Sequence, residues 1–472
     1  MQVATPPASL VWFSTFSFFS AAAVLIHQLH ERGFTNLGLF DFSLDLAALW
    51  TLLRPASVRR FLALCAAQVL ACGAQMPFVW NHWMFLALGN VSILAQASHL
   101  AVRGRGRVDA VDLFEQTAPA LRLELILLYW LAALAKLNEA YFDPQRSCAV
   151  TLYAHLTTAL PFLPTGVWAD WLAIWLSVGI ELALPFLLIF RRTRVAGLLS
   201  GFVFHLLLGI NENYDFSAIL IPFYVLFVPA EMWTRAYALV RTSRAGAALE
   251  GTLIHVARSR LTFPTLAAGA FAVTAAAAVP IIGEDRLHAH LSRLGLVVWL
   301  ALWGGLAVAL IGARRGLGRF SDWTAIPHSP ARMSLVGPLL VLLAAVTPYV
   351  GLNTERAFSM FSNLQTEGDR WNHLFLPQRM RVFGFQDHLY ELVSSSDPDL
   401  QRVATDRAAL VEFEMRRRLS ANPEASVTYR IVGEQRELLR AGDDERISRP
   451  LNPLLGWLFW FRPVSAHGGC AH

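Results

Sequence analysis

The feature that most constrains this chain is a series of long apolar runs, because a helix of about 20 apolar residues is long enough to cross a bilayer. Such runs lie at residues 8–29, 58–80, 83–102, 118–141, 167–190, 195–213, 215–230, 262–282, 291–312 and 333–351. The run at 215–230 is short for a full crossing. We therefore predict an all-α polytopic membrane protein with about ten transmembrane helices.

The composition agrees with this class of protein. Of 472 residues, 55% are hydrophobic and 15% are charged, and the mean hydropathy is +0.45. The net charge of +5 comes from arginines between the apolar runs, where anionic lipid and topology explain them better than nucleic acid does. The four cysteines form no CxxC or Cys/His cluster, so no metal site is expected. The lipid bilayer is the expected partner.

The loops between the runs alternate between arginine-rich and arginine-poor. The arginine-rich loops are Arg54–Arg60, Arg103–Arg107, Arg191–Arg194, Arg235–Arg260 and Arg314–Arg332. The arginine-poor loops are Pro77–His82, Asp143–Gly166, Asn211–Asp215 and Gly283–His290. Because arginine-rich loops stay in the cytoplasm, we predict a multi-pass plasma (inner) membrane protein. The arginine-poor loops and everything after about Gly351 are then on the outer, periplasmic side.

One apolar segment, 36–53, is a poor candidate for a lipid-facing span because it contains Asp41 and Asp45. We favour an interfacial or re-entrant helix there. The N-terminus is external in that case, and it is internal if the segment crosses the membrane.

The last 120 or so residues, 352–472, predict a small C-terminal α+β domain outside the membrane. Ser396-Asp397-Pro398 is a typical helix start, and we predict one helix from there to about Leu419. The alternating residues around Gly433-Glu434 predict a β-hairpin. The closing PLLGWLFWFRPV is aromatic and too short to span, so we expect it to return to the membrane interface.

The lysine content singles out one residue of the membrane region. Lysine and arginine total 39, and Lys136 is the only lysine. An unpaired ammonium in the hydrocarbon costs several kcal/mol, so such a lysine points to function; the alternative is a lysine that snorkels to the outer interface. Arginine keeps its proton, whereas a buried lysine can lose one, and this favours a titratable amine at Lys136.

Other polar groups are predicted at a similar depth. Trp80, Asn81 and His82 lie at an outer turn, where Asn81 and His82 bring an amide and an imidazole to the same side as Lys136. The alternative is a polar turn with interfacial tryptophans. Gly201, His205 and Gly209 recur at i, i+4 and i+8 on one helix face, so the glycines clear room either for a ligand or for a neighbouring helix.

Two carboxylates in the predicted spans complete the candidates. Glu181 is a candidate partner of a base in the membrane, and Glu124 is interpreted as an interhelical partner. Outside the membrane, the polar and aromatic segment Ala357–Pro377 could form a lid, bind a substrate peptide, or pack as an ordinary loop. No phosphate-binding, hydrolase or zinc-protease motif is present.

Three stretches together resemble a known family. VWNHWMFLALGNVSILAQ, ALAKLNEAYF and FHLLLGINENYDFSAILIPFYVLFVP occur in the order and spacing of the horizontally transferred transmembrane (HTTM) family, which includes vitamin K-dependent gamma-carboxylases. The resemblance covers about residues 10–235. It departs from the carboxylases of that family at Ala135, where they have the first of two adjacent lysines, and in its shorter C-terminal region.

The resemblance implies a catalytic lysine at Lys136 and a quinol site formed by Trp80, Asn81 and His82 together with Gly201, His205 and Gly209. His82 and His205 would be catalytic as well as cofactor-binding. The cofactor would be reduced vitamin K or another quinol, with O2 and CO2 as co-substrates. The chain divides into a carboxylase-like membrane domain at 1–235, additional transmembrane helices at 236–351 and the outer domain at 352–472.

Two classes of function follow. The first is an integral-membrane carboxylase-like enzyme that couples quinol oxidation to proton abstraction and carboxylation of a glutamate or another acceptor, in a secreted peptide or protein. The second is a non-enzymatic transporter or maturation factor, for which a buried lysine and histidines would also serve. Clustering of the polar groups on one side, and the lack of evident inverted repeats, favours the enzyme.

Overall fold

A computed structural model describes residues 6–31, 39–242, 284–314, 330–431, 434–438, 441–465 and 470. The chain divides into two compact units. The first unit comprises Met1–Ala74, Phe85–Ile126 and Leu184–Leu339. The second unit comprises Gln75–Met84, Leu127–Ala183 and Leu340–His472.

The membrane region is helical. Its helices are α1 (Ala8–Glu31), α2 (Leu39–Leu52), α3 (Val58–Gln75), α4 (Asn81–Arg103), α5 (Ala110–Ala135), α6 (Cys148–Ala159), α7 (Val167–Ile189), α8 (Arg194–Leu208), α9 (Tyr214–Val225), α10 (Ala230–Thr242), α11 (Glu284–Arg314) and α12 (Val336–Val350). A one-turn 3-10 segment, Arg332–Leu335, precedes α12.

Among the described residues, seven helices are long and apolar enough to cross a membrane. They are Ala8–Glu31, Asn81–Arg103, Ala110–Ala135, Val167–Ile189, Arg194–Val225, Ala289–Ala307 and Arg332–Val350. This confirms a helical protein with membrane-length apolar helices, while the predicted count of ten spans stays a prediction.

Several features explain why the described residues contain seven such helices whereas the sequence predicts about ten. The runs at 195–213 and 215–230 form one helical stretch, interrupted at Gly209–Asn213 by a turn in which Glu212 has a φ of 64°. Helix α3 carries two arginines and two glutamines and ends at Gln75, short of the predicted 58–80. The run at 262–282 lies outside the described residues. Helix α2 has 14 residues, or about 21 Å, which is shorter than a bilayer's hydrocarbon core.

In the first unit, α1 and α9 run antiparallel. Near one end, the Trp12 indole donates a hydrogen bond to the Val225 carbonyl at 3.0 Å. Near the other end, the His27 ring lies 3.1 Å from the Asp215 carboxylate. These two contacts fix which ends of α1 and α9 meet.

The second unit includes a five-stranded antiparallel sheet. Its strands are β1 (Leu389–Ser395), β2 (Ala408–Val411), β3 (Val427–Ile431), β4 (Glu434–Leu438) and β5 (Val464–Ser465), in the order β4-β3-β1-β2-β5. The accompanying helices are α13 (Pro398–Thr405), α14 (Glu412–Leu419), α15 (Glu445–Ser448) and α16 (Pro453–Leu458). Short 3-10 segments lie at Gln378–Met380, Gly384–Gln386 and Ala441–Asp443. The predicted α+β composition of the C-terminal region is confirmed.

Details of this region differ from the sequence expectation. Asp397 caps α13 by accepting from the Asp399 and Leu400 amides, as the helix-start motif predicts. The helix ends at Thr405, however, because the apolar residues of β2 enter the sheet before α14 begins. A single helix to Leu419 was therefore wrong. The hairpin is confirmed, since β3 and β4 pair antiparallel.

Candidate functional site

Lys136 stands directly after the end of α5, where the chain turns. Helix α5 ends at Ala135, and the Asn138 side chain donates to the Ala135 carbonyl at 2.8 Å. The Asn138 side-chain oxygen accepts from the Tyr141 amide at 2.9 Å. The first of these bonds satisfies a backbone carbonyl that a helix end leaves without a partner. The two bonds also fix the direction in which the lysine leaves the helix.

The lysine side chain ends in a buried ion pair with Glu181 of α7. The ammonium nitrogen, Nζ, lies 2.9 Å from Oε2 and 3.0 Å from Oε1 of Glu181. Lys136 is 5% exposed and Glu181 is 8% exposed. A carbonyl oxygen, that of Met360, lies 3.5 Å from Nζ. This confirms Glu181 as the partner of Lys136, and it argues against a snorkelling lysine, whose head group would be exposed.

The ion pair sits beside a tyrosine. Nζ lies 5.9 Å from the centre of the Tyr141 ring, within the range of a cation–π contact. The Tyr141 hydroxyl is 2.6 Å from Ser177 Oγ, one turn before Glu181 on α7. Two residues of the Lys136 turn therefore contact the same helix. Such contacts restrict the rotamers of the pair and favour one geometry.

A loop from the C-terminal region covers this turn. Its residues Arg356, Phe358, Phe361 and Asn363 all have φ between 48° and 56°, a left-handed conformation that is costly for side chains other than glycine. Strained backbone of this kind persists only where surrounding contacts hold it, and it is concentrated at functional sites.

The contacts that hold the loop come from three places in the second unit. Asn81 accepts from the Phe358 amide at 2.8 Å. Asn138 donates to the Ser362 carbonyl at 2.6 Å, and the Asn363 side chain accepts from the Cys148 amide at 2.7 Å. Since Met360 contacts Lys136, the loop links Asn81 and Lys136. Two of the predicted site residues are thus joined through one short segment.

The segment Trp371-Asn372-His373 binds the same turn. The Asn372 carbonyl accepts from the Glu139 amide at 3.1 Å, and His373 Nε2 lies 3.1 Å from the Leu134 carbonyl. His373 Nδ1 accepts from the amides of Phe375 and Leu376, so the ring proton is on Nε2. Burial lowers the pKa of His373, which keeps the ring neutral. This segment packs as an anchored loop.

The other predicted site residues occupy different positions. Trp80 is 48% exposed at the start of α4, whereas Asn81 and His82 are buried. Lys136, Asn81 and His82 belong to the second unit, and His205, Gly201 and Gly209 belong to the first. The predicted grouping of all of them around one quinol stays a prediction.

The glycine face of α8 is filled by side chains of the protein. A β-carbon on Gly201 would lie 2.6 Å from two ring carbons of Tyr224, and one on Gly209 would lie 2.5 Å from a ring carbon of Trp299. His205 is fully buried, with the rings of Phe216 and Tyr224 within 5.7 Å. These contacts favour the helix-packing interpretation of Gly201, His205 and Gly209.

Glu124 behaves as an interhelical partner. Its Oε1 accepts from the Ser92 hydroxyl of α4 at 2.9 Å, and Ser92 Oγ in turn accepts from the Gly337 amide at 2.9 Å. The carboxylate is fully buried. The interpretation made from its position in the sequence is confirmed.

Sequence reasoning missed several residues of the site. Asn138, Tyr141 and Ser177 organise the turn and its contact with α7, and Met360 reaches Nζ through its backbone. Asn138 carried a local signal, because an asparagine after a helical run is a common turn residue. Met360 carried none, since any residue supplies a carbonyl.

Comparisons with known proteins add no assignment. No protein-family model, curated protein or solved structure matches this chain. The site is therefore interpreted from its own residues and from the resemblance of the three stretches.

Proposed function

We propose that this protein is an integral-membrane enzyme of the vitamin K-dependent gamma-carboxylase type, in which Lys136 is the general base. The observation that carries the proposal is the buried pair of Lys136 and Glu181, with Nζ 2.9 Å from the carboxylate. Moving one proton from Nζ to Glu181 leaves a neutral amine and a neutral carboxylic acid. In a low-dielectric site this transfer removes two buried charges at once, which lowers the free energy needed to form the neutral, basic amine.

The residues around Nζ are suited to a quinol hydroxyl. The 3.5 Å contact with the Met360 carbonyl is longer than the hydrogen bond of Nζ to Glu181, so an incoming hydroxyl would replace it at the least cost. The neutral amine would accept the hydroxyl proton, and Glu181 would hold the proton that the amine had carried. A bound quinol, with O2 and CO2, would supply the oxidation and carboxylation chemistry that the resemblance implies.

The acceptor would be a glutamate or another acidic carbon of a secreted peptide or protein. The C-terminal region supports this because its loop contacts Lys136 through Met360 while its sheet forms a separate packed core. A domain that contacts the Lys136 turn and also has a packed core and surface of its own is suited to holding an extended substrate near that turn. A non-enzymatic transporter or maturation factor is the alternative, which a buried ion pair alone would also permit.

Quinol turnover tests the proposal directly. The purified protein in lipid nanodiscs is supplied with reduced naphthoquinones, O2, labelled bicarbonate and glutamate-containing peptides. We expect quinone epoxide from the wild type, measured by chromatography, and a loss of about 10²–10⁴-fold in Lys136→Arg. We expect Glu181→Gln to lose epoxide formation as well. Its matched control is Glu139→Gln, because Glu139 is an exposed glutamate in the turn of Lys136.

The outcomes separate the two functions. Epoxide formation that Lys136→Arg and Glu181→Gln abolish, and Glu139→Gln preserves, would support the enzyme. No epoxide from any quinol in a well-folded wild-type sample contradicts carboxylase-type chemistry. Full activity in Lys136→Arg contradicts the general base.

We further propose that the N-terminus is cytoplasmic and the C-terminal region periplasmic. Supporting contacts in the first unit join the end of α1 to the arginine-poor loop at Asn211–Asp215, since His27 lies 3.1 Å from Asp215. The start of α1 contacts Val225, close to the arginine-rich segment that begins at Arg235. Helix α1 would then leave the cytoplasm, and the segment 36–53 would return the chain to the arginine-rich loop Arg54–Arg60, which is the alternative to the interfacial helix favoured from the sequence.

Protease access in spheroplasts tests this orientation. We expect an N-terminal tag to be protected and a C-terminal tag to be cleaved. Cleavage of the N-terminal tag in intact spheroplasts contradicts the proposed orientation of α1.

A further inference from the structure

A second polar cluster lies in the first unit, where the end of α1 meets the start of α9. His30 Nε2 is 3.9 Å from Glu31 Oε1 and 4.0 Å from Asp215 Oδ1. One possible ligand atom from each of these three residues lies within 4.8 Å of the other two. These separations exceed hydrogen-bond length, and they are somewhat longer than the roughly 3.3–3.6 Å between tetrahedral ligands of one metal ion.

The geometry of an ion at this position can be estimated. A point equidistant from three atoms with these separations lies within about 2.5 Å of each. Metal–ligand distances for first-row divalent ions are about 2.0–2.2 Å. Since the side chains of His30 and Glu31 are 25% and 24% exposed, small rotamer changes would close the remaining gap.

The hydrogen bonds of His30 determine which ring nitrogen is available. The Tyr214 hydroxyl donates its proton to the Ser292 carbonyl at 2.7 Å. The Tyr214 oxygen and Ser292 Oγ lie 2.9 and 3.2 Å from His30 Nδ1, so this nitrogen has two acceptors when Tyr214 gives its proton to Ser292. In the neutral ring, the lone pair is therefore on Nε2, the nitrogen that faces the two carboxylates.

Asp215 is oriented in a comparable way. Its Oδ2 lies 3.1 Å from His27 Nδ1, and both side chains are buried. Its Oδ1 is the atom nearer to His30. Hydrogen bonds that orient the ligands from behind, as those of Tyr214 and His27 do here, are typical of metal sites in proteins.

From this geometry we infer a binding site for one first-row divalent cation, such as Zn2+ or Mn2+, formed by His30, Glu31 and Asp215. One imidazole nitrogen and two carboxylate oxygens suit these ions better than they suit Ca2+, which prefers six or more oxygens. Three protein ligands leave a coordination position for water or another small ligand. The ion would join α1 to α9, and the inference does not depend on Lys136 or on quinol chemistry.

The sequence carried only a weak signal for such a site. His27, His30 and Glu31 are close in sequence, but Asp215 follows 184 residues after Glu31. Only the antiparallel packing of α1 and α9 brings them together.

Metal binding to the full-length protein tests the inference. After chelation and desalting in detergent, we expect calorimetry with Zn2+ or Mn2+ to show one site per chain. His30→Asn and Glu31→Gln should weaken binding by about 100-fold or more. Tyr214→Phe, which removes the hydroxyl that contacts His30 and Ser292 but no metal ligand, should weaken it by about 10–100-fold. His155→Asn alters an exposed histidine on α6 and should leave binding unchanged.

A spectroscopic measurement covers the case in which these variants fail to fold. Wild-type protein loaded with Mn2+ should show coupling of the electron spin to one imidazole nitrogen. Loss of affinity in the three site variants, or the single nitrogen coupling, would support the site. Absence of a stoichiometric site in the wild type, tighter binding of Ca2+ than of Zn2+ and Mn2+, or Mn2+ without nitrogen coupling would overturn it.

Discussion

The ion pair of Lys136 and Glu181 predicts a large coupling in protein stability. Two unit charges 2.9 Å apart attract by about 6 kcal/mol at an effective dielectric constant of about 20. Desolvation offsets much of this attraction, because the two residues are only 5% and 8% exposed. Removing one partner leaves the other buried without its counter-charge, and we expect Lys136→Met or Glu181→Gln to cost about 3–5 kcal/mol.

The double variant distinguishes a pair from two independent residues. Because removing the second charge relieves the first, Lys136→Met combined with Glu181→Gln should cost less than the two single costs together, by about 2 kcal/mol or more. Reversible SDS unfolding of the purified protein gives the four free energies of unfolding. Glu139→Gln, an exposed neighbour, should stay within about 0.5 kcal/mol of the wild type. Strict additivity of the single costs would refute the pair.

Three further predictions concern the surroundings of the site. The folded-state pKa of His373 lies below its ordinary 6.5, so its neutral ring stabilises the fold above pH 6.5, and this contribution is lost as pH falls below that value. The thermal unfolding midpoint should therefore fall more on acidification in the wild type than in His373→Gln. Equal dependence of the midpoint on pH in the two proteins contradicts the assignment. Cys148 and Cys470 form a disulfide, so mass spectrometry of non-reduced peptides should recover the linked pair, and two freely alkylated thiols would count against it. Gly201→Ala should cost about 1–3 kcal/mol by overlapping the facing tyrosine ring, whereas Gly179→Ala, which meets nothing within 4 Å, should be tolerated; equal stability of the two variants would contradict the packing.

The helices of the membrane region were largely predictable from the sequence, because span length and apolar content are local properties. The start of α1 at Ala8 and that of α7 at Val167 match the predicted runs. The interruption at Gly209–Asn213 was predictable as a boundary, but whether it separated two spans was not. That depends on how many residues α9 keeps in regular helix, which is set by tertiary contacts.

The candidate site was predictable only in part. Composition identified Lys136, and its apolar surroundings implied a partner, for which Glu181 was one of two buried carboxylates. The segment Ala357–Pro377 was a candidate lid, but its contacts with the Lys136 turn were not predictable, because they involve the backbone carbonyls of Met360 and Ser362, and backbone groups carry no sequence signal. The cation cluster was likewise hidden, since a pattern along one helix does not show which distant residue faces it.

The chain itself offers a comparison for the choice of lysine at position 136. Arg122, on the same helix α5, is also buried at 4% exposure, and its guanidinium donates to the Leu226 carbonyl and lies over the Trp12 ring. A permanent buried cation is thus served by arginine in this chain. Lys136 instead faces a carboxylate that can take its proton. If proton transfer is the reason, Lys136→Arg should retain folding but lose quinol turnover, whereas Arg122→Lys should at most reduce stability while turnover per folded molecule is kept. Full turnover in Lys136→Arg would mean that the site requires only a charge, and equal losses in both variants would mean that the effect is not specific to Lys136; either result contradicts the general-base role.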